Sequence, residues 1–265
     1  MLIYKGMNIG TAKPTSSELS RVRHHLIDVV PPQKEFNASQ YLKAVDALYG
    51  KMNGRIIGVG GTPFYLKVLR DGLHEIHCLE GLEQRLGEMS EPWLRSALEK
   101  LDPERSAAIL PNDRFRLARA LTLIYSTGLK ASRFKIEQGR EGVSLRIVAL
   151  RGERSLMHQL MKDRIEQMFK AGLLEEARAL YEGAPLSKTA AAGVGYKELF
   201  AHFRGELSLE EAKFKILVGT RRLYKHQMTW LSKMDVDWVD VIPGKPELAW
   251  EKVKPLLEEH FRGII

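Results

Sequence analysis

The segment Arg55-Ile56-Ile57-Gly58-Val59, closed by Gly60-Gly61-Thr62 and followed by a helical stretch from Phe64 to Leu69, constrains this chain more than any other. A short β-branched run, a glycine turn and a helix form the repeating unit of a parallel α/β sheet. Two glycines directly after a buried strand let backbone amides approach a ligand at the carboxyl end of the sheet, where open α/β folds bind theirs. Thr62 would add a hydroxyl there. Taken alone, the same three residues equally describe a tight turn whose threonine caps a helix, and on local grounds that is the stronger reading.

The rest of the chain extends the pattern. A second apolar run, Leu145 to Leu150, precedes two helical stretches with breaks near Gly172 and Gly183. The first carries Leu156, Leu160, Met168 and Phe169; the second carries Leu174, Ala177 and Leu180. Upstream, Thr15-Ser16-Ser17-Glu18 reads as a capping box opening a short helix. Leu26-Ile27-Asp28-Val29-Val30 before Pro31-Pro32 reads as a short strand. Ala38 to Met52 has helical spacing through Tyr41, Val45 and Leu48 and is expected to end near Asn53-Gly54. From about Cys78 to Arg140 only helical patterns occur. Trp93, Ala97, Leu98 and Leu101 share one face, and Pro111-Asn112-Asp113 caps a helix carrying Leu117, Leu121 and Ile124 that ends near Gly128. The expected architecture is an α/β core over residues 1–77 and 141–265 with an all-helical insertion over 78–140.

A net charge of +8 suits a polyanionic partner, because clustered Lys and Arg gain affinity by releasing phosphate counterions. An inert basic surface fits that number equally well. The single cysteine, Cys78, forms no intramolecular disulfide and points to a reducing cytosol. The opening residues do not read as a signal peptide, and no apolar run nears the roughly 20 residues of a spanning helix. A soluble, cytoplasmic protein with no membrane partner is expected.

Gly6-Met7-Asn8-Ile9-Gly10-Thr11-Ala12-Lys13-Pro14 invites comparison with a Walker phosphate loop and departs from it. Its glycines are too close, Lys13 comes too late, and Pro14 interrupts the passage into a helix. Such a turn could still grip an anion with Thr11 and Lys13, or be a plain surface loop. Arg116 and Arg119 lie three apart on one helix face, with Arg114 nearby. Arg221, Arg222, Lys225 and His226 form a positive stripe on another helix, while Leu223 and Trp230 are expected to pack inward. His24-His25 with Asp28 does not read as a metal site, since adjacent histidines on a strand point to opposite faces.

In order along the chain, these segments closely resemble the tRNA dimethylallyltransferase family. The resemblance rests on Tyr4 to Pro14, on His24-His25-Leu26-Ile27-Asp28, and on Gly60-Gly61-Thr62 with Tyr65. It continues through Pro111-Asn112-Asp113 with Arg116 and Arg119-Ala120-Leu121, then Gly195-Tyr196-Lys197-Glu198, then Thr220-Arg221-Arg222 and Gln227 with Thr229-Trp230. It implies a phosphate-loop kinase-like parallel-sheet core, of the nucleotide- and ATP-binding class, with a helical insertion and with Mg²⁺ as cofactor. The implied reaction moves a dimethylallyl group from dimethylallyl diphosphate to N6 of the adenine just 3′ of the anticodon, flipped from its stack.

By position in the resemblance, Thr62 contacts the reacting groups. Thr11, Lys13, Gly60, Gly61 and Arg85 serve the substrates. Met1 and Leu2, the run Phe115, Arg116, Leu117, Ala118 and Arg119, and the run Arg221, Arg222, Lys225, His226 and Gln227 hold the tRNA anticodon stem-loop. Family members carry a strand, a Walker-type loop and a general-base aspartate just before the segment matching Met1-Leu2, so the expectation is a truncated record of a longer, monomeric enzyme. Ala192 stands where glutamine or arginine is usual, and His226 where arginine is usual. The alternatives are an inactive tRNA-binding remnant and an adenylate prenyltransferase or nucleotide kinase.

Overall fold

The structure, a computed structural model, describes residues 1–52, 56–73, 76, 78–134, 140, 143–242 and 244–262. Along the chain run α1 (Ser16–Arg21), α2 (Ala38–Tyr49), α3 (Pro63–Asp71), α4 (Leu82–Glu88), α5 (Glu91–Leu101), α6 (Pro103–Ala108) and α7 (Arg114–Thr127). A 3-10 turn (Ala131–Arg133) follows, then β1 (Val148–Arg151), α8 (Arg154–Lys170), α9 (Leu173–Glu182) and α10 (Lys188–Ala191). The last elements are α11 (Tyr196–Phe203), α12 (Leu209–Leu231), β2 (Asp237–Asp240) and α13 (Pro246–Arg262). Two compact units result, Met1–Leu66 with Ser144–Ile265, and Lys67–Val143. The division falls inside α3.

In the first unit β1 and β2 pair in parallel, Val148 opposite Asp237 through Arg151 opposite Asp240, and a lone parallel bridge joins Tyr4 to Val30. The class is α/β with a small parallel sheet, as the sequence indicates. Helices supply most of the core: Tyr4 and Met7 from the opening loop, Leu173 and Ala177 of α9, Tyr196 and Leu199 of α11, and Ala212 and Ile216 of α12 are all nearly inaccessible. Glycine and capping chemistry set the helix starts. Gly172 opens α9 at φ 99°, a backbone only glycine adopts without strain. Ser208 and Glu211 form a capping box at α12, and Thr15 with Glu18 forms the expected one at α1.

Two sequence readings of this unit change. Leu26–Val30 is not a strand: Leu26 and Asp28 hold left-handed backbone at φ 60° and 53°, which breaks the pleat and leaves only the bridge at Val30. Ile56–Val59 is not a strand either. Val59 is 91% exposed, and among the described residues nothing pairs with this run. An apolar β-branched run becomes a strand only where a neighbour completes its ladder. Helix α2 ends at Tyr49 before Gly50, and Asn53-Gly54, with Arg55, lies outside the described residues.

The second unit is helical among its described residues. Asp113 accepts the Arg116 amide to cap α7, and Gly128 ends it at φ 70°, as the sequence indicates. Leu117, Leu121 and Ile124 of α7 pack with Leu94 and Leu98 of α5. The face of α5 differs from the one expected: Trp93 and Leu101 are exposed, and with Ala97 and Tyr125 they line a surface groove of about 380 Å³. A leucine pair four apart outcompetes a tryptophan whose bulk the small unit cannot enclose.

Two carboxylates of this unit are held in their charged form. Asp102 accepts the Arg105 amide at 3.2 Å and the Ser132 amide at 2.7 Å. Burial alone would push its carboxyl up, yet these amides hold it below the usual range. The Arg70 guanidinium and the Lys67 ammonium hold Asp71 at about 2. A carboxylate lowered in the folded state stabilises above its unfolded pKa of roughly 3.9, and that stability is lost as pH falls through the folded value. The protein is expected to lose stability as pH drops from about 4 toward 2. Thermal melts followed by circular dichroism should show this, with a flatter pH dependence in Asp102→Asn.

Candidate functional site

Three features of the first unit gather the residues of interest. The Gly60–Thr62 corner meets α12 directly: the Gln227 side-chain amide donates to the Gly61 carbonyl at 2.6 Å. A Cβ on Gly61 would overlap the Gln227 Nε2 and push that flexible amide aside. Thr62 is exposed, and its carbonyl accepts the Tyr65 amide at 2.9 Å in the first turn of α3. Tyr65 stacks on Tyr41 with centroids 4.3 Å apart, and Phe64 meets Trp230 edge to face at 6.4 Å.

Helix α12 also carries the positive stripe. Arg222, Lys225 and His226 stand at i, i+3 and i+4 and are exposed, and among the described residues none of them is ion-paired. Arg221 is half-buried, its Nε buried without a partner. Leu223 and Trp230 do not pack into the core as expected; Leu223 is 48% exposed, because the buried face of α12 is spent earlier, at Ala212 and Ile216.

The third feature is the glycine-containing loop. The amides of Asn8, Ile9 and Gly10 converge on the Glu176 carboxylate at 2.8 to 3.1 Å, and the Tyr196 hydroxyl donates to the same carboxylate at 2.7 Å. The loop does grip an anion, and that anion is the chain's own glutamate. Burial and the bond to Glu176 push the Tyr196 phenol well above its ordinary range. Gly10 lies flat against the Tyr196 ring, where a Cβ would sit 2.6 Å from the ring carbon that bears the hydroxyl. Thr11 turns its hydroxyl back onto the Met7 carbonyl at 2.6 Å. Lys13 is enclosed, donating to Tyr4 O at 2.5 Å, Asn8 Oδ1 at 3.0 Å and Asp28 Oδ1 at 2.5 Å. Its ammonium is engaged in holding the loop. Sequence reading missed Glu176, since nothing near Leu173-Leu174-Glu175-Glu176 signals a partner 166 residues away.

Met1 is exposed beside Gly193, and the Leu2 carbonyl accepts the Asp28 amide at 3.2 Å. His24 bonds the Val22 carbonyl through Nδ1 at 2.7 Å, while His25 Nε2 is buried without a partner. Among the described residues no three His, Cys, Asp or Glu side chains converge as metal ligands.

In the helical unit the arginines of α7 are already engaged. Arg116 pairs with Asp113, Arg119 pairs with Glu83 at 2.8 Å, and Arg114 donates to the Gly87 carbonyl. Phe115 is 71% exposed, whereas Leu117 and Ala118 are buried in the core. Those two side chains are unavailable to a partner, because the helix that displays Arg116 and Arg119 must bury its other face. Arg85 is exposed on α4.

Residues 2–234 match the family described as IPP transferase. The chain is a member of that family. A tRNA dimethylallyltransferase of Desulforudis audaxviator is 38% identical over 252 residues, covering 91% of this chain and 81% of that one. The tRNA dimethylallyltransferase 1 of Citrifermentans bemidjiense is 36% identical, covering 92% and 82%. The crystal structure of the full-length tRNA isopentenylpyrophosphate transferase from Bacillus halodurans is similar with a TM-score of 0.67 at 30% identity, covering 98% of this chain and 87% of that one. The fold of this IPP transferase family member is accordingly of the phosphate-loop kinase-like α/β class.

Several blocks that carried the resemblance have structural work in this family member. Gly195-Tyr196-Lys197-Glu198 opens α11, with Gly195 at φ 100° and the Glu198 carboxylate accepting its amide at 2.8 Å. Tyr196 then reaches Glu176 and closes the loop around Gly10. No helix of the described residues is long and apolar enough to cross a membrane.

Proposed function

We propose that this chain acts in transfer of a dimethylallyl group from dimethylallyl diphosphate to N6 of the adenine 3′ of the anticodon in tRNA. The observation that carries this reading is the double role of α12. It presents Arg222, Lys225 and His226 to solvent without ion-pair partners among the described residues, and it grips the Gly60–Thr62 corner through Gln227. A positive stripe with free charges suits RNA phosphates, and the chain's +8 surplus supports the same partner. In the helical unit, Phe115, Arg116 and Arg119 serve RNA in the same proposal, and Arg85 serves the substrates. The compartment in this reading is the cytoplasm.

In the transfer, the C–O bond to diphosphate breaks as the C–N bond to adenine forms, and N6 gives up a proton. Adenine N6 is a poor nucleophile, so placement of the reacting groups contributes a large part of the acceleration. Thr62, exposed at the corner, supplies a hydroxyl that accepts from or donates to those groups. Mg²⁺ belongs to the same proposal. The described residues offer no converging set of three His, Cys, Asp or Glu side chains for it.

Incubating the protein with dimethylallyl diphosphate and an unmodified anticodon stem-loop, with adenosine monophosphate in a parallel arm, tests the reading. Nucleoside mass analysis should find N6-dimethylallyladenosine in the stem-loop. Product in the mononucleotide alone would overturn it, and stem-loop binding without product would mark a tRNA-binding protein without transfer.

A further inference from the structure

We infer that Gln227 is a positioning residue: it fastens the Gly60–Thr62 corner to α12 and so couples the helix that meets RNA to the placement of Thr62. This inference deepens the proposed transfer and rests on it for its catalytic consequence. The corner is otherwise barely held. Among the described residues, the hydrogen bonds at 56–62 are the Gln227 amide to the Gly61 carbonyl at 2.6 Å and the Tyr65 amide to the Thr62 carbonyl at 2.9 Å. Val59 is 91% exposed, and nothing lies within 4 Å of where a Cβ on Gly58 or Gly60 would stand.

The contact is built from both sides. With glycine at 61 the Gln227 amide reaches the carbonyl unhindered, whereas a Cβ there would overlap Nε2 and push the flexible amide aside. Three residues further along each segment, Trp230 meets Phe64 edge to face at 6.4 Å. Gln227 and Trp230 are one turn apart on α12, as Gly61 and Phe64 are across the start of α3, so the helix grips the corner at two points. By helical spacing Arg222 and Lys225 face away from Gln227 on the same helix, with His226 between the two sides. An RNA seated on the stripe therefore acts on a rigid element whose other side holds the corner. Beyond the bond to the Gly61 carbonyl the Gln227 amide keeps a second N–H and its Oε1, so the effect of its removal on RNA affinity decides whether it also touches RNA.

The experiment compares wild type, Gln227→Met and Arg222→Gln as full-length chains. Met preserves length and removes the donor. Hydrogen–deuterium exchange should quicken at residues 60–65 in Gln227→Met by about tenfold, the change one net hydrogen bond is worth, with α12 still protected. Affinity for the anticodon stem-loop should stay within about twofold of wild type, whereas Arg222→Gln should weaken it and leave exchange at 60–65 unchanged. In turnover, Gln227→Met should lower kcat by about 10- to 100-fold with KM for the stem-loop unchanged, as expected for misplaced reacting groups. Unchanged exchange, or a loss of stem-loop affinity like that of Arg222→Gln, would overturn the inference. If wild type gives no product, the transfer reading fails, and the exchange and affinity measurements still decide the role of Gln227.

Discussion

Glu176→Ala should lower stability by on the order of 3 kcal/mol, a drop in Tm of roughly 6–10 °C for a chain of this size. The carboxylate accepts three consecutive amides and one hydroxyl, and bonds to a charged acceptor contribute about 1.5–3 kcal/mol each. They do not simply add. The Asn8 amide is exposed and would be rehydrated, whereas the Tyr196 hydroxyl sits in the core and would be left without an acceptor. Glu176→Gln should lose about half as much, since one amide oxygen remains while its NH2 group faces donors. A double-mutant cycle with Tyr196→Phe should show coupling between the pair of about 1 kcal/mol. Thermal melts decide it, and a Glu176→Ala protein melting with wild type would show that the loop stands without its anion.

That clasp also marks where sequence reading stopped. Helix ends were legible because their determinants are local: Thr15 with Glu18, Asp113 with the Arg116 amide, and Gly128 and Gly172 in left-handed backbone. The class was legible from the apolar run that became β1. The other two strand readings failed, since Leu26–Val30 and Ile56–Val59 have strand composition but depend on a neighbour that sequence periodicity does not reveal. Among site residues, the exposed cations of α12 could be read from their spacing. Lys13 looked like a free cation and is engaged by three partners, one of them 15 residues away. Gln227 was placed with the RNA-binding run by resemblance, and only geometry shows its amide on Gly61. Leu117 and Ala118 were placed in a contact run by their neighbours, although the helix period turns both into the core.

Arg222→Gln with Lys225→Gln should weaken binding of the anticodon stem-loop by about 100-fold near 50 mM salt, and the loss should shrink as salt rises. Each removed phosphate contact should flatten the slope of log affinity against log salt by about 0.7–0.9, so the double variant should lose roughly 1.5. Among the described residues these two cations have no internal partner to satisfy first, so their charge is available to phosphate. The arginines of α7 differ. Arg116 and Arg119 already spend part of their charge on Asp113 and Glu83, and a phosphate reaching their remaining N–H groups meets that neighbouring carboxylate, which repels it. The net gain from such a contact is small. Arg116→Gln should therefore weaken binding by less than about tenfold with a smaller change in slope. Fluorescence anisotropy at four salt concentrations measures both. Equal effects from the two helices would mean that internal pairing does not govern which arginines RNA uses, and an unchanged slope in the α12 variant would remove that stripe from the RNA contact altogether.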